Sequence, residues 1–574
     1  MLYTADFETT TDIQDCRVWA TGICSIDDLT FTYGNSIEYF IDFARAHIGS
    51  TFYFHNLKFD GEFIMCWLFS HGFRNITDRK EGRKNTFTTL ISDKGQFYSL
   101  EIFFEQKETV KIYDSLKILP FSVDAIAKGF NLPISKLEID YTAKRERGHI
   151  LTPLEVDYLR NDVEIMARAL QTLFSQDLRQ MTQGSNALYD YKRIVGKKNF
   201  AKWFPIPHYD WDVRQSYKGG FTYCDPRRQG EDIGGGIVLD VNSLYPSVMY
   251  YKPLPYGEGI YFDGEYQDDK LYNLFTQMFT CQFELKPNHI PTLQIKNSGA
   301  FVPTEYLSSS DGEDVTLCLT SVDLEIFMEH YNVYNIEYHG GWKFKSTTGL
   351  FTDYIDKWMK VKIESTLNGN KAMRTLAKLM LNALYGKFAL NPNVQSKIPY
   401  YDNGVIRYTL GEQETRDPIY IPVGTFITAW ARHTTISAAQ KVYDRFLYAD
   451  TDSLHLTGTE LPACLSIDKT ALGAWDHENT FSRARYIRQK TYAEEIIVTE
   501  KKMKEMIANG SSPNIFYKNA KNENVYMDIT CAGMPSKCYE HVTWENFMTG
   551  NSFEGKLQPA HVPGGIVLKR LTLQ

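Results

Sequence analysis

Two sets of carboxylates, one at the N-terminus and one in the second half of the chain, have the spacing of divalent-metal ligands. Asp6 and Glu8 lie two residues apart in the strand-like run from residue 2 to residue 8, and alternate residues of a strand point to the same face. Two carboxylates on one face repel each other, and a bound cation is the usual way to relieve that repulsion. A solvated strand end is the alternative for this pair taken alone.

Two more acids and a phenol extend the first set. Asp60 follows an apolar strand pattern, while Tyr158 and Asp162 lie four residues apart on one face of a predicted helix. Four acids from three segments suit two ions about 4 Å apart, which would activate water on one side of a phosphodiester and stabilise the leaving oxygen on the other. Tyr158 would orient the attacking water.

Polar and aromatic side chains next to Asp60 suit a frayed nucleic-acid end. His55, Asn56 and Phe59 could hold a single strand by hydrogen bonding and stacking. A buried histidine with satisfied hydrogen bonds is the alternative for His55.

The second set contains Asp240, Asp450 and Asp452. Asp240 ends a buried strand pattern, and the other two flank Thr451 in a predicted tight turn between two short strands. An Asp-x-Asp motif alone is weak evidence, because glycosyltransferases also use it to hold a metal and a nucleotide sugar.

A basic helix face favours a nucleotide substrate. At 100° per residue, five side chains fall within about 80° of one another: Lys371, Arg374, Lys378, Asn382 and Tyr385. The cations would neutralise charge on a leaving pyrophosphate, and the last two residues suit a base. A solvated basic face is the alternative.

The elements that must position these residues can be located from turn and capping signals. Thr152, Pro153 and Glu155 form an N-cap, a first-turn proline and a capping box for the helix carrying Asp162. The polar sequence MTQGSN near residue 183 predicts a linker, and Asn368-Gly369-Asn370 predicts a turn between two helices. Residues 391 to 418 predict a hairpin with irregular flanks.

Composition predicts a multidomain protein of a reducing compartment. The chain has 574 residues, 43% of them hydrophobic, which is too long for one core. Nine scattered cysteines without a C-x-x-C pair, no signal sequence and no long apolar run indicate a cytoplasmic protein outside the membrane. The net charge of −8 opposes nucleic-acid binding in general, but clustered metal-binding acids lower the total and leave basic stretches for phosphates.

At these segments the chain resembles the family B DNA polymerases, specifically the protein-primed, phi29-like polymerases of Bacillus phages. The likeness covers the whole chain. Its motifs are DFET from residue 6, HNLKFD from 55, YLRND from 158, YKGGF from 217, DVNSLYP from 240, KLMLNALYGKF from 378, YADTDS from 448 and KTY from 490.

The resemblance implies an α/β, multidomain fold. A ribonuclease-H-like 3′–5′ exonuclease domain would occupy residues 1–183, and a right-hand polymerase domain would follow. The implied divisions are palm at 184–254 and 419–523, insertions in contact with a terminal protein at 255–350 and 391–418, fingers at 351–390 and thumb at 524–574.

For the exonuclease, the resemblance implies a metal site with assisting groups and a single-strand groove. Metal ligands would be Asp6, Glu8, Asp60 and Asp162, with Glu138 standing where the family often has aspartate, and with Tyr158 and Lys136 assisting. The groove residues would be Thr9, His55, Asn56, Phe59, Ser115 and Leu116.

For synthesis, the resemblance implies Asp240 and Asp452 as main metal ligands, supported by Asp450 and the Val241 carbonyl. Tyr245 matches the sugar-selecting position, where a ring leaves no space for a 2′-hydroxyl. The remaining nucleotide-binding residues would be Lys362, Arg374, Lys378, Asn382 and Tyr385. Residues binding primer and template would be Tyr217, Gly219, Gly220, Ser243, Leu379, Gly386, Lys387, Lys490 and Tyr492.

The implied activity is protein-primed replication of a linear phage genome with strand displacement and proofreading. Two Mg²⁺ ions would serve each site, with Mn²⁺ able to substitute. Implied partners are template-primer DNA, dNTPs, a terminal protein as primer and a single-stranded-DNA-binding protein. A monomer in the bacterial host cytoplasm is expected.

Three other functions explain part of the sequence. A glycosyltransferase leaves the N-terminal acids unused, an inactive binding module does not need two complete acid sets, and an exonuclease alone leaves the second half unexplained. Binding of a nucleotide sugar would favour the glycosyltransferase, and metal-independent DNA binding would favour the binding module. Failure to extend a primer would favour the exonuclease.

Overall fold

A computed structural model describes residues 1–294, 305–509 and 511–573. Residues 295–304 of the predicted first insertion, residue 510 of the predicted palm and residue 574 of the predicted thumb lie outside the described residues.

The N-terminal region is an eight-stranded sheet with helices on its faces. Its strands are β1 (Leu2–Thr9), β2 (Val18–Ser25), β3 (Phe31–Gly34), β4 (Thr51–Phe54), β5 (Arg74–Asn75), β6 (Thr86–Ile91), β7 (Phe97–Phe103) and β8 (Thr109–Asp114). Its helices are α1 (Ile37–Ala46), α2 (Leu57–Ser70), α3 (Val123–Gly129) and α4 (Pro153–Ser175). The strand order is β3-β2-β1-β4-β8-β7-β6-β5, which places β1 inside the sheet.

Helix α4 begins where the capping signals predict. The Thr152 side chain accepts a hydrogen bond from the Glu155 amide, and the Glu155 carboxylate accepts one from the Thr152 amide. The helix packs across β1 and β2. Gly22 permits this close approach, because a Cβ there would lie 2.6 Å from Leu159 of α4.

The middle of the chain alternates helices, an inserted sheet and a helical pair. Helices α5 (Gln183–Val195), α6 (Lys197–Trp203) and α7 (Asp210–Arg214) precede strands β9 (Thr222–Cys224) and β10 (Gly236–Val241) and helix α8 (Leu244–Tyr251). The insertion contains β11 (Leu254–Phe262), β12 (Leu274–Leu285), β13 (Leu293–Gln294), β14 (Tyr306–Leu307), β15 (Val315–Thr320), α9 (Ser321–His330) and β16 (Tyr331–Thr347). Its four-stranded sheet, β11-β16-β12-β15, packs against α9 around a core of its own.

The helical pair and the following hairpin agree with the predicted turns. Helix α10 (Thr352–Leu367) and helix α11 (Lys371–Ala383) flank the Asn-Gly-Asn turn, and a short α12 (Tyr385–Phe388) follows. Strands β17 (Asn393–Asp402) and β18 (Val405–Thr415) form the predicted hairpin. Its turn, Asn403-Gly404, has φ values of 50° and 88°, as a two-residue hairpin turn with both residues left-handed requires.

The last third completes a second eight-stranded sheet. It contains α13 (Ile421–Lys441), β19 (Phe446–Asp450), β20 (Ser453–Thr457), β21 (Trp475–Arg488), β22 (Thr491–Ile497), α14 (Glu500–Ala508), β23 (Phe516–Lys518) and β24 (Asn524–Cys531), followed by the hairpin of β25 (Phe553–Val562) and β26 (Gly565–Leu573). The sheet order is β23-β24-β22-β21-β10-β20-β19-β9.

The predicted boundaries after residues 183 and 254 fall inside α5 and β11, and the one after residue 523 divides the second eight-stranded sheet. Thr182 caps α5 by accepting a hydrogen bond from the Ser185 amide, so most of the polar stretch predicted as a linker is the first turn of a helix. Strand β24 pairs with β22 from Val525 to Cys531. The sheet that carries Asp240 and Asp452 therefore extends past residue 523, and only the segment after Cys531 separates from it.

A buried carboxylate joins three distant segments of the chain. Glu62 on α2 is 2% exposed, accepts a hydrogen bond from the Tyr408 hydroxyl of β18, and lies 3.3 Å from His561 Nδ1 of β25. Contact with Glu62 raises the pKa of His561, although Lys58 and Arg407 oppose this shift. The N-terminal domain, the second insertion and the C-terminal hairpin thus meet at one acid.

We expect the His561 contact to stabilise the fold most below neutral pH. A histidine whose pKa is raised by folding stabilises fully below its unfolded pKa of about 6.5, and this contribution is lost as pH rises through the folded pKa. The Tm loss caused by His561→Gln should therefore be larger at low pH than at high pH, measured by calorimetry. Tyr408→Phe is the control, with a pH-independent loss. An equal His561→Gln effect across the pH range would contradict this assignment.

Candidate functional site

The predicted N-terminal acids line one cavity of about 760 Å³. The residues brought together at its wall are Asp6, Glu8, Asp60, Asp162, Tyr158, Lys136, Thr9, His55, Asn56 and Phe59. β1 supplies Asp6 and Glu8, the start of α2 supplies Asp60, and α4 supplies Asp162. A hydrogen bond of 2.7 Å from Thr4 Oγ1 to the Val163 carbonyl ties β1 to α4 beside Asp162.

Burial raises the pKa values of all four acids, and mutual repulsion adds to the shift at three of them. Desolvation is the largest cause for each. It raises the pKa of Asp6 to about 7, with the charge of Asp162 adding to the shift. The pKa of Glu8 and that of Asp60 lie well above their usual range, because Asp6 also repels each of them. Asp60 Oδ1 and Asp162 Oδ1 are buried without a hydrogen-bond partner.

Lys136 and two tyrosines surround Asp162. Lys136 Nζ donates to Asp162 Oδ2 and lies 3.3 Å from the Tyr158 hydroxyl. The Tyr158 hydroxyl lies 2.6 Å from that of Tyr141. Tyr141 was missed by sequence reasoning, because it lies in a loop without periodicity. Glu138, predicted as a further ligand, is exposed and is not among the residues that line the cavity.

The residues of the predicted single-strand groove differ in how they are held: His55 is hydrogen-bonded within the protein, whereas Asn56 and Phe59 line the cavity. The two ring nitrogens of His55 lie 3.0 Å from Ser115 Oγ and 2.7 Å from the Phe121 carbonyl. This agrees with the alternative prediction for His55, a histidine whose hydrogen bonds are satisfied within the protein. Asn56 adopts a left-handed conformation with φ of 73° and leaves its side chain exposed at the cavity mouth beside Phe59. Leu116 donates its amide to Asp114 Oδ1 at the next turn.

The C-terminal hairpin forms one wall of this cavity. Leu557 of β25 and Ile566, Val567 and Leu568 of β26 line it together with the acids. Leu557 is 39% exposed and Leu568 is 46% exposed. Apolar residues at the far end of the chain carry no signal in the sequence that would assign them to this site.

The second set of acids lines a cleft of about 560 Å³, and two of them, Asp450 and Asp452, lie on a strained turn. Thr451, between Asp450 and Asp452, has φ of 59°, which costs energy for a β-branched residue. Its amide donates to the Phe221 carbonyl at 2.6 Å, and its carbonyl accepts from Thr435 of α13 at 2.6 Å. Gly220 is needed here, because a Cβ would lie 2.6 Å from Thr451 Oγ1.

Asp240 lies near the end of β10, and Asp452 lies in the turn before β20, the strand that pairs with β10 in the second eight-stranded sheet. The Val241 amide donates to the Asp452 carbonyl at 2.8 Å. Burial, then repulsion by Asp452 and Glu478, raises the pKa of Asp240 to about 7, while Lys378 opposes this shift. Lys490 Nζ lies 3.2 Å from both carboxylate oxygens of Asp450, so the predicted primer-holding lysine is paired with an acid of the turn.

Two of the predicted nucleotide-binding residues line this cleft, and the four on α10 and α11 are not among its lining residues. Lys378 of α11 is nevertheless near enough to lower the pKa of Asp240. Tyr245 and Tyr385 stack with ring centroids 4.0 Å apart and planes inclined by 18°, and both line the cleft with Tyr492. Burial and the charges of Arg374 and Lys378 lower the pKa of Lys362. The exposed face of α11 contains Lys371, Arg374, Lys378 and Asn382, as the helical pattern predicts. Tyr385, the fifth residue of the predicted stripe, lies beyond the end of α11, on α12.

Two residues predicted to contact primer and template make hydrogen bonds within the protein. Lys387 Nζ donates to Ser185 Oγ of α5 at 3.1 Å, and the Leu379 carbonyl accepts from Gln183 at 2.9 Å. Ser243, with φ of 56°, precedes α8. The remaining predicted residues, Tyr217, Gly219 and Gly386, are partly exposed.

The donor sets suit hard divalent cations, which prefer carboxylate and carbonyl oxygens. The orphaned buried oxygens of Asp60 and Asp162, and the raised pKa values at both sites, are the features that a cation would relieve. Within the described residues, no three acidic, histidine or cysteine side chains converge closely enough to form a complete metal site. Nor does any described helix combine the length and hydrophobicity needed to cross a membrane.

Comparison with known proteins gives a consistent result. The family model described as DNA polymerase type B, organellar and viral, matches residues 45–155 and 144–470. The DNA polymerase of Bacillus phage phi29 is 48% identical over 577 residues, covering 99% of this chain and 97% of that protein. The DNA polymerase of Streptococcus phage Cp-1 is 31% identical, covering 100% and 98%.

A solved structure of phi29 DNA polymerase complexed with primer-template DNA and incoming nucleotide substrates has a TM-score of 0.91 and 47% identity, covering 100% of this chain and 99% of that one. A phi29 polymerase complex with single-stranded DNA also has a TM-score of 0.91, with 46% identity. The chain therefore belongs to the type B DNA polymerases of organelles and viruses, and it is a DNA polymerase similar over its full length to the phi29-like phage enzymes.

Proposed function

We propose that this polymerase performs protein-primed, strand-displacing replication and proofreads its product at a second site, with divalent ions at both. The observation that carries the proposal is the presence of two separate carboxylate-lined cavities in one chain. The stacked tyrosines line one cavity, where Lys378 of the cationic helix face lowers the pKa of Asp240. The other cavity, of about 760 Å³, is lined by Asn56 and Phe59 of the predicted single-strand groove. A glycosyltransferase or an inactive binding module has no use for both.

At the polymerase cleft, Asp240 and Asp452 would hold the ions, with Asp450 in support. Bound divalent ions would lower the pKa of the primer 3′-hydroxyl and stabilise the pyrophosphate. The exposed cations of α11 would contact the triphosphate, because their charges converge with that of Lys362. Lys490 would exchange its contact with Asp450 for the primer end, since it is more than half exposed there.

At the exonuclease cavity, Lys136, Tyr158 and Tyr141 would orient the attacking water near Asp162. The hydroxyls of the two tyrosines are 2.6 Å apart, and burial raises the pKa of Tyr158 so that it remains a neutral donor. Phe59 and Asn56 would hold the frayed strand, with the apolar hairpin residues as a further wall.

The first insertion suits a protein partner such as the terminal protein. Its sheet has its own buried core, so its outer side chains are available for contact. Tyr261 is 53% exposed and Tyr334 is 50% exposed, and exposed aromatic residues are favoured at protein interfaces. The proposal also includes Mg²⁺ or Mn²⁺ as the cofactor and a single-stranded-DNA-binding protein as a partner. We further propose that the protein is a monomer that works in the bacterial host cytoplasm.

The two activities should separate by mutation. With Mg²⁺ and all four dNTPs, the wild type should extend a labelled primer, and without dNTPs it should degrade it. Asp452→Asn should abolish extension alone, because it removes a carboxylate of the palm turn. Asp6→Asn should abolish degradation alone, because it removes a carboxylate of the other cavity. Loss of both activities in either variant would refute two independent sites.

Tyr245→Val should relax exclusion of ribonucleotides. The Tyr245 ring is held in place by stacking on Tyr385, and removing it opens space for a 2′-hydroxyl. Single-nucleotide incorporation of matched ribonucleotides and deoxyribonucleotides measures the discrimination. The control is Tyr334→Val, which truncates a half-exposed tyrosine of the first insertion and should leave discrimination as in the wild type. Unchanged discrimination in Tyr245→Val would remove the assignment.

Mg²⁺ should stabilise the protein more as pH rises. Without metal, Asp6 and Asp240, each with a pKa of about 7, retain protons that the unfolded chain loses near the usual pKa of 3.8. The folded state therefore binds more protons, and the stability of the metal-free protein falls as pH rises from about 4 to about 7. Because the ion binds the deprotonated acids, the Tm difference between Mg²⁺ and EDTA should grow from about pH 6 to about pH 8.

The double variant Asp6→Asn and Asp240→Asn is the matched control for this dependence. It keeps the size of both side chains and removes both titrations, so its Tm difference should be small at every pH. A wild-type difference that stays constant with pH would contradict the assignment.

A further inference from the structure

A buried histidine and a buried glutamate lie beside the turn that carries Asp450 and Asp452. His455 of β20 is 2% exposed and Glu494 of β22 is 3% exposed. His455 Nδ1 lies 2.6 Å from Glu494 Oε1, and the Tyr486 hydroxyl donates to the same oxygen at 2.6 Å. A carboxylate is costly to bury unless such partners satisfy it.

This pair connects to the turn through Ser453. His455 Nε2 lies 3.4 Å from Ser453 Oγ, and Ser453 Oγ donates to the Asp450 carbonyl at 3.4 Å. A second connection runs through Tyr448, whose ring packs edge-on against His455 with centroids 5.1 Å apart. The Tyr448 hydroxyl accepts from the Lys490 amide at 2.9 Å and donates to Asp450 Oδ2 at 3.4 Å.

The turn needs support on this side. Thr451 has φ of 59°, and a strained non-glycine residue persists only where its surroundings hold it. Phe221 and Thr435 hold the Thr451 backbone through hydrogen bonds. His455 and Tyr448 adjoin the base of the turn, where Ser453 and Asp450 pair across the two strands.

We propose that Glu494 and His455 are positioning residues that hold the Asp450–Asp452 turn in the geometry that binds the polymerase ions. Glu494 fixes the His455 ring, and His455 fixes Ser453 and the Tyr448 ring, so the two aspartates stay directed at the cleft. Both residues line the cleft, and the role proposed for them is to act through Ser453 and Tyr448 rather than as ligands. The inference rests on the proposed metal-binding role of Asp450 and Asp452.

The test compares His455→Phe with the wild type in extension, degradation and hydrogen exchange. Phenylalanine keeps the ring volume and removes both ring nitrogens. We expect the Mg²⁺ concentration for half-maximal primer extension to rise about tenfold, as for other residues that orient metal ligands. Metal-free hydrogen exchange of residues 446–456 should become faster, while degradation of a single strand by the same preparation stays unchanged.

A second buried histidine provides the matched control. His330 of α9 is 1% exposed, with Nδ1 2.7 Å from the Ile290 carbonyl, and it belongs to the first insertion. His330→Phe should change neither the Mg²⁺ dependence of extension nor the exchange of residues 446–456. Glu494→Gln keeps an acceptor for Tyr486 and removes the charge beside His455, so it should give a smaller shift in the same direction.

The results separate this inference from the proposed function. Unchanged Mg²⁺ dependence and exchange in His455→Phe would overturn the positioning role, and so would an equal loss of extension and degradation, which indicates general damage. If His455→Phe does not fold, an unchanged Mg²⁺ dependence in Glu494→Gln overturns it. Full extension by Asp452→Asn would instead overturn the proposed function of the turn.

Discussion

Repulsion among buried carboxylates is the constraint on which the rest of this structure depends. Several acids line each cavity, and at each one the pKa of an aspartate rises to about 7. Lys136 beside Asp162 and Lys490 beside Asp450 offset part of that charge. The rest of the repulsion must be opposed by packing, and both sites are accordingly built on the inner strands of large sheets.

The two sites hold their mutually repelling carboxylates in place by different contacts. In the exonuclease cavity the acids come from a strand and two helices, and the bond from Thr4 to Val163 fixes the distance between β1 and α4. In the palm, two of the acids share one strained turn. Its backbone is held by α13 and by the segment that leads into β9, where a glycine leaves room for it. A local conformation that costs energy is thus stabilised by long-range contacts.

Local sequence patterns were sufficient to predict the strands, helix and turns that carry or adjoin the acids. The strand of Asp6, the capped helix of Asp162, the two strands around Thr451 and the turn at Gly369 were all predicted and are all present. In each case the pattern acts over a few residues: alternation, capping or a turn. The stacking of Tyr245 on Tyr385 could not be predicted in this way, because no local pattern brings these two rings together.

Local sequence patterns could not predict which distant segments of the chain pack or pair with each other. The pairing of β24 with β22 and the position of the C-terminal hairpin at the exonuclease cavity both depend on contacts between distant segments. The hairpin is the clearest case. Ile566 and Val567 belong to the same buried cluster as Phe7 and Phe54, so the end of the chain completes the core that supports its first strand. The exonuclease cavity therefore cannot acquire its final shape until the last strands have folded against it.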